Sequence, residues 1–373
     1  MLVVSFQLSA FSSFAQSSRD IRIAIIQDAS SLVLESTGAY RITDSKTGET
    51  LNRGENLKTK VVAVEEGISF KVLGTFGNRI LLEPGSSQGI LINGRAYRGV
   101  IEFIRKEGKS VLAVNHINLE DYIKGILYHE VSHYWPMEAL KAQAVACRTY
   151  AFYHIQQNSS KDFDLTSDVY SQVYGGKTSE RYRTNKAVEE TENTILLYLG
   201  KAFPAYYHAT CGGHTVDASL LWSIDIIPLK GVYCGFCQES PHYRWNTVLT
   251  KQEIINKFNR FGERLGDLRD ISILERDKSS RINKLKITTS NQSFEITVKE
   301  FRDIIGPDII KSSTFDLSLT NTRVFFEGKG WGHGVGMCQW GAYFMAKQGY
   351  TYQRILSYYY PGSRLAAIDK IKP

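Results

Sequence analysis

The 373-residue sequence is 43% hydrophobic and 22% charged, a balance that is typical of globular proteins and excludes a disordered chain or a coiled coil. This length is sufficient for two or three domains with hydrophobic cores of their own. The formal net charge is +7 and the Lys and Arg residues are scattered, which argues against a nucleic-acid-binding protein and suits an anionic polymer as ligand.

The first 16 residues, MLVVSFQLSAFSSFAQ, are apolar and uncharged. Small residues at Ser13 and Ala15 stand where a signal peptidase cuts, although the basic segment that normally precedes the apolar stretch is missing. We predict a signal peptide over residues 1–16 and an exported protein, with a frayed N-terminal strand as the alternative. No later stretch reaches the roughly 18 apolar residues that a membrane span requires.

Residues 20–87 are predicted to form an all-β region. Short runs rich in Val and Ile, such as IRIAIIQ and RILLEP, are separated by turn signals such as KTGE and GSSQG. Similar runs continue to about residue 115, and a helical pattern begins at residue 118. The β pattern suggests a sandwich or a barrel.

The rest of the chain mixes helix and strand, so the predicted fold class is α+β. TKQEIINKF and KEFRDII are predicted helices, and LKITTS and SFEITV are a predicted strand pair. We predict an α/β subdomain at 249–320 and a glycine-rich C-terminal segment.

The segment LEDYIKGILYHE, residues 119–130, has the pattern of a helix with one buried stripe. Asn118 is a suitable N-cap, and Glu130 continues the stripe at the C-terminal end of the helix. Partial burial and the negative end of the helix dipole both disfavour an ionised carboxylate. We therefore predict a raised pKa for Glu130 and a role as general acid. The apolar residues of the stripe are Leu119, Tyr122, Ile123, Ile126 and Leu127.

His129, Glu130 and His133 also match the H-E-x-x-H signature of zinc proteases. That signature requires the helix to continue through both histidines, whereas Pro136 ends it shortly after His133. The metzincin extension fails as well, because Pro136 stands where Gly is required and Ala139 where His is required. The zinc metalloprotease is therefore the less favoured alternative, and we expect the two histidines to lie on the cleft or solvent side.

Seven blocks follow one another in order along residues 88–366, and together they resemble the family of stage II sporulation protein D and the amidase enhancer. The resemblance implies a catalytic domain over residues 88–366. Glu130 falls on the catalytic glutamate of that family, whereas His129 and His133 fall on positions that the family leaves variable. A single glycine run would be a weak signal, but the ordered set is specific. The blocks are INGRAYRGVIEF (92–103), LEDYIKGILYHE (119–130), WPMEALKAQAVACRTYA (135–151), SDVYSQVYGG (167–176), YYHATCGGHT (206–215), GKGWGHGVGMCQWGA (328–342) and ILSYYYPGSRL (355–365).

The resemblance implies an exported bacterial cell-wall protein, in the periplasm or on the cell-wall side of the cytoplasmic membrane. It implies a lytic transglycosylase that cleaves peptidoglycan glycan strands, preferably stripped of their stem peptides, and leaves 1,6-anhydro-muramyl ends. Glu130 would act first as acid and then as base, and the chemistry requires no cofactor. The alternative is a non-enzymatic module that binds glycan and enhances a separate cell-wall amidase.

Seven further residues in these blocks are weaker candidates for binding the glycan. Two lie off the apolar stripe of the second predicted helix, where they would orient Glu130 or bind the substrate; surface or capping roles are the alternatives. Three alternate along an apparent strand and would point the same way, toward a sugar cleft; ordinary packing is the alternative. Two lie in the glycine-rich run, where Gly332, Gly334 and Gly336 would let the backbone approach closely; a structural turn is the alternative. In this order the candidates are Gln143, Arg148, Tyr170, Gln172, Tyr174, His333 and Gln339.

Three cysteines indicate a possible structural zinc site. Cys234 and Cys237 form a C-x-x-C pair, and Cys211 would be the third ligand, with His208 or His214 completing a Cys₃His set. Disulfide pairing and unpaired thiols are the alternatives. Some relatives carry zinc ligands in the stretch that corresponds to residues 161–172, which has no Cys or His in this sequence. The two other cysteines, Cys147 and Cys338, are predicted to be small core residues.

Overall fold

The computed structural model describes residues 20–85, 89–168, 171–262 and 264–371, so the predicted signal peptide lies outside the described residues. The described residues form seven α-helices and 22 strands, which confirms the predicted α+β class. They divide into two compact units. The described parts of Met1–Tyr134 and Cys147–Thr194 make the first unit, and those of Trp135–Ala146 and Ile195–Pro373 make the second. None of their helices is both long and apolar enough to cross a membrane.

The first unit is built on one eleven-stranded sheet. Its strands form where the sequence predicts short β runs, because alternate side chains such as Ile21 and Ile23 are buried on one face. The strands are β1 (Asp20–Ala29), β2 (Leu32–Asp44), β3 (Thr50–Val64), β4 (Gly67–Phe70), β5 (Gly74–Phe76), β6 (Arg79–Pro84), β7 (Ile90–Ile92), β8 (Arg95–Tyr97), β9 (Val100–Lys106), β10 (Ser110–Asn118) and β11 (Leu165–Thr166).

The strand order shows that the sheet continues past the predicted domain boundary at residues 87 and 88. The main path runs β11-β1-β10-β9-β6-β2-β3-β4-β5, and β7 pairs with β2 and β8. β6 pairs with β9, and β1 pairs with β10, both antiparallel. The predicted N-terminal β region therefore shares one sheet with the first strands of the predicted catalytic domain.

Three helices accompany this sheet in the sequence: α1 (Leu119–Glu130), α2 (Met137–Gln157) and α3 (Tyr182–Glu189). Asn118 caps α1 as predicted, because its side chain accepts a 2.9 Å hydrogen bond from the N–H of Glu120. The five apolar residues of the predicted stripe are at most 1% exposed. α1 ends at Glu130, since the next residue, Val131, is extended and buried.

The second unit contains the remaining helices and strands. The strands are β12 (Thr194–Tyr198), β13 (Lys201–Ala202), β14 (Tyr207–His208), β15 (Arg244–Thr250), β16 (Leu268–Arg276), β17 (Ile282–Thr289), β18 (Ser293–Thr297), β19 (Phe315–Leu319), β20 (Arg323–Lys329), β21 (Met337–Cys338) and β22 (Arg364–Ala367). The helices are α4 (Lys251–Arg260), α5 (Val298–Ile305), α6 (Gln339–Lys347) and α7 (Tyr352–Tyr359).

Two hydrophobic cores stabilise the second unit. One lies within residues 245–326 and includes Phe258 of α4 and Phe301 of α5. Both predicted helices of this region are confirmed, and so is the predicted strand pair, because β17 and β18 are antiparallel neighbours. The other core joins the cysteines of the second unit to α6 and α7, with Met345 and Tyr359 buried in it. The predicted α/β subdomain at 249–320 thus has a core of its own.

Candidate functional site

Glu130 is the last residue of α1, and its side chain is half-buried. The residues around it belong to a packed core, because Tyr122 and Ile126 are 0% exposed and Val131 is 5% exposed. The pKa of the Tyr122 phenol is raised mainly by burial and further by neighbouring charges that include Glu130. The fold therefore holds this carboxyl group at the edge of a core, at the negative end of the α1 dipole.

The two histidines beside Glu130 make separate contacts. His129 Nε2 lies 2.6 Å from Ser179 Oγ, and burial lowers the pKa of this imidazole. His133 lies beyond the end of α1, with its ring centroid 3.9 Å from that of Tyr134. Within the described residues, the only group of three or more His, Cys, Asp or Glu side chains close enough to share a metal ion consists of four cysteines. The zinc-protease alternative therefore has no metal site in the described part of the chain.

Arg148 is buried in an ion pair. Its side chain is 0% exposed, and its Nε and Nη2 donate to the carboxylate of Glu120 at 2.8 and 2.7 Å. Nη1 and Nη2 also donate to the backbone carbonyls of Thr194 and Val188. This arrangement corrects the prediction that Arg148 binds the glycan, because every guanidinium nitrogen is engaged inside the first unit. The pair ties α1 to α2 and to the end of α3.

Gln172 and Tyr174 are also core residues, at 1% exposure each. The hydroxyl of Tyr174 donates to Asn115 Oδ1 at 2.9 Å, and Gln172 Oε1 accepts from the hydroxyl of Tyr122 at 3.1 Å. The apparent strand is not found in its described part, because residues 171–174 form no strand. Burial corrects the binding role predicted for these two residues. Tyr170 lies outside the described residues.

Two predicted residues of the second unit, Gln143 and Gln339, contact each other. Gln339 Nε2 donates to Gln143 Oε1 at 3.4 Å, and both side chains are buried, at 8% and 1% exposure. Gln143 lies on α2, while Gln339 begins α6 directly after the glycine-rich run. The structure thus brings together two amides that are 196 residues apart in the sequence.

His333 holds the glycine-rich run in shape through both ring nitrogens. Its Nδ1 accepts from the N–H of Val335 at 3.1 Å, so the proton is on Nε2, which donates to the carbonyl of Tyr207 at 2.9 Å. Burial lowers the pKa of His333 to about 4, which keeps the ring neutral at neutral pH. Gly336 packs against the protein's own backbone, where the φ of +71° and the carbonyl of Tyr206 leave no room for a side chain, and this favours the structural alternative for this glycine.

The second unit also presents five half-buried rings that sequence reasoning missed. Trp340 and Tyr343 lie one turn apart on α6, and the ring of Trp135 packs against both with centroid distances of 5.1 Å. His242 lies between Trp340 and Trp331, with centroids 6.1 and 4.7 Å away. The sequence signal that could have revealed these rings is the spacing of three residues between Trp340 and Tyr343, which places both side chains on one face of a helix. We call these five rings the aromatic surface.

Four buried cysteines meet in the core of the second unit. The sulfur atoms of Cys211, Cys234, Cys237 and Cys338 all lie within 4.8 Å of one another, and all cysteines of the chain are free thiols. Cys338 is therefore not merely a small core residue, as predicted, but the fourth member of the group. His208 is not part of it. Its Nδ1 donates to the carbonyl of Val335 at 3.1 Å, and its ring packs 5.6 Å from that of His333.

Comparison with known proteins identifies the family. Residues 107–198 match the stage II sporulation protein model, and residues 229–336 match a domain of unknown function. The chain is 34% identical to an uncharacterized protein of Brachyspira hyodysenteriae, over 94% of each chain. It is 31% identical to stage II sporulation protein D of Bacillus subtilis, over 69% of this chain and 77% of that protein. The chain belongs to the stage II sporulation protein D family.

The match to the stage II sporulation protein model covers Glu130 and the α1–α2 region, but not the glycine-rich run or the four clustered cysteines. The amidase enhancer of Bacillus subtilis is 28% identical over 80% of this chain. The chain spans about half of the length of that enhancer, 48%. Relatives with two different names therefore align with overlapping parts of this member of the family.

Proposed function

We propose that this protein cleaves the glycan strands of the bacterial cell wall as a lytic transglycosylase, with Glu130 as its single acid and base. The observation that carries the proposal is a half-buried carboxyl group at the C-terminal end of α1, in a chain of the stage II sporulation protein D family. Burial and the helix dipole both favour the neutral acid, which is the form that donates a proton.

The proposed reaction moves one proton through Glu130. The protonated carboxyl donates to the glycosidic oxygen between N-acetylmuramic acid and N-acetylglucosamine as the C1–O bond breaks. The resulting carboxylate then takes the proton from the C6 hydroxyl of the muramic acid as that oxygen attacks C1. The products are a free sugar hydroxyl and a 1,6-anhydro ring. Because no water is activated and no enzyme nucleophile is used, the second carboxyl group of ordinary glycosidases is not required.

The aromatic surface supports a glycan as the ligand. Sugar rings have apolar faces that stack on Trp and Tyr, and the rings of Trp135, Trp340 and Tyr343 pack together while remaining partly exposed. The N–H of Trp340 and the hydroxyl of Tyr343 can bind sugar hydroxyls at the same time. We propose that this surface binds the strand, and that the protein acts outside the cytoplasm, where the polymer is.

The second candidate function is amidase enhancement without cleavage, which is favoured by the similarity to the amidase enhancer. In this case the chain would bind glycan and stimulate a separate cell-wall amidase. Glu130 would then have no chemical role. The partner would be the amidase in addition to the glycan strands.

Replacing Glu130 by Gln separates the two functions. Peptide-free glycan strands are incubated with the wild type and with Glu130→Gln, and the released sugars are analysed by mass spectrometry for 1,6-anhydro ends. The matched control is Glu189→Gln, which also changes the last glutamate of a helix but at an exposed position. We expect anhydro ends from the wild type and Glu189→Gln, and a loss of at least 100-fold in Glu130→Gln, the usual contribution of a general acid.

Two results would contradict the transglycosylase. One is unchanged release of anhydro sugars by Glu130→Gln, provided that circular dichroism shows a folded protein. The other is the absence of anhydro products from the wild type together with stimulation of an added cell-wall amidase that survives the substitution. The second result would support the enhancer function instead.

A further inference from the structure

We propose that Cys211, Cys234, Cys237 and Cys338 bind one zinc ion as a structural tetrathiolate site. Zinc–sulfur bonds of about 2.3 Å place the corners of a regular tetrahedron about 3.8 Å apart. The four sulfur atoms lie within 4.8 Å of one another, and those of Cys211 and Cys237 are 3.4 Å apart. Small rotations of the side chains are therefore enough to bring all four sulfurs to bonding distance of one ion.

Backbone N–H groups point at these sulfurs in the way that metal-bound thiolates require. Cys338 Sγ accepts from the N–H of Cys211 and from that of Gly341, each at 3.3 Å. Cys211 Sγ accepts from the N–H of Gly213 at 3.4 Å. Cys338 is also the N-cap of α6, so its sulfur lies at the positive end of a helix dipole. A set of donors directed at sulfur stabilises thiolates and orients them toward a metal.

A buried cation next to the cluster supplies an independent argument. Arg281 is 2% exposed, and its Nη2 donates to the carbonyl of Cys211 at 2.8 Å. Its Nη1 donates to Ser313 Oγ at 3.2 Å, and within the described residues it forms no ion pair with a carboxylate. An uncompensated buried cation is costly. One zinc ion with four thiolates carries a net charge of −2, and the +1 charge of this guanidinium offsets half of it, so that each group compensates the other.

The site is closed, which favours a structural role over a catalytic one. All four cysteines are at most 2% exposed, so the protein fills every corner of the tetrahedron and leaves no position for water or substrate. The ligands come from three separate segments: the stretch after β14, the C-x-x-C loop and the start of α6. Bound zinc would therefore fasten the glycine-rich run, with Gln339 directly after Cys338, to the rest of the second unit.

The metal content of the purified full-length chain tests this proposal independently of glycan cleavage. Elemental analysis is expected to give about one zinc per chain, and X-ray absorption at the zinc edge four sulfur neighbours at about 2.3 Å. Cys338→Ser is expected to weaken zinc binding by 10-fold or more in a competition assay with a chromogenic chelator. His208→Ala, at the alternative ligand, and Cys147→Ser, at a buried cysteine outside the cluster, are expected to retain the ion.

Several outcomes would overturn the site. Zinc with three sulfur neighbours and one nitrogen neighbour, or loss of zinc in His208→Ala but not in Cys338→Ser, would restore the Cys₃His arrangement. Iron in place of zinc would refute the choice of metal, since iron also accepts four thiolates. A metal-free chain whose mass is lower by two hydrogens per bridge would show disulfides instead. The absorption spectrum of the wild type decides the ligands even if Cys338→Ser does not fold.

Discussion

Replacing Arg148 by Met should destabilise the first unit strongly. Methionine keeps much of the volume of the arginine stem but removes the two charge-assisted hydrogen bonds to Glu120 and those to two backbone carbonyls. Among the contacts of the described residues, the side chain of Glu120, which is 19% exposed, then retains the hydrogen bond from the N–H of Asn193 at 3.0 Å. Breaking one side of a buried pair costs about 3–5 kcal/mol, and the partial exposure of Glu120 favours a value of about 3.

Urea unfolding monitored by circular dichroism measures this change. The control is Lys299→Met, which removes an exposed ion pair with Asp303 on α5 at 3.1 Å and should cost less than about 1 kcal/mol. The double variant Glu120→Gln, Arg148→Met should recover part of the loss, because it no longer leaves a buried charge without a partner. Equal destabilisation by Arg148→Met and Lys299→Met would refute the reasoning. Normal stability with lost glycan binding would instead restore the binding role that burial argues against.

Two further predictions concern the backbone and pH. Gly336→Ala should lower the melting temperature much more than Gly349→Ala, because both have positive φ but only Gly336 faces a backbone carbonyl, that of Tyr206; equal shifts would contradict this. Burial alone would raise the pKa of Glu102, but hydrogen bonds from three side chains outweigh it and lower the pKa to about 2. The ionised carboxylate of Glu102 therefore stabilises the folded state by about 3 kcal/mol. This contribution is fully present above the pKa that Glu102 has in the unfolded chain, and it is lost as the pH falls toward 2. Glu102→Gln should flatten this dependence in melting curves, and an unchanged slope would exclude Glu102 as its source. The three side chains are His116, Ser45 and Arg79.

The sequence by itself determined the features that depend on neighbouring residues. The period-2 and period-3.6 patterns predicted most strands of the first sheet, α1 with its Asn118 cap, and the helices and strand pair of the 249–320 region. These patterns are local because a strand or helix buries one face whatever that face packs against. The ordered blocks from residue 92 onward were sufficient to predict the family.

The tertiary structure decided which side chains meet. Arg148 pairs with Glu120 in the core, and Cys338 joins three other cysteines although it lies 101 positions after Cys237. The sheet crosses the predicted domain boundary because β1 pairs with β10, which lies far along the chain. Spacing along a sequence constrains a helix turn or a strand face, but partners from distant segments are chosen by the packing of whole elements. Their burial and hydrogen bonds are therefore properties of the folded chain alone.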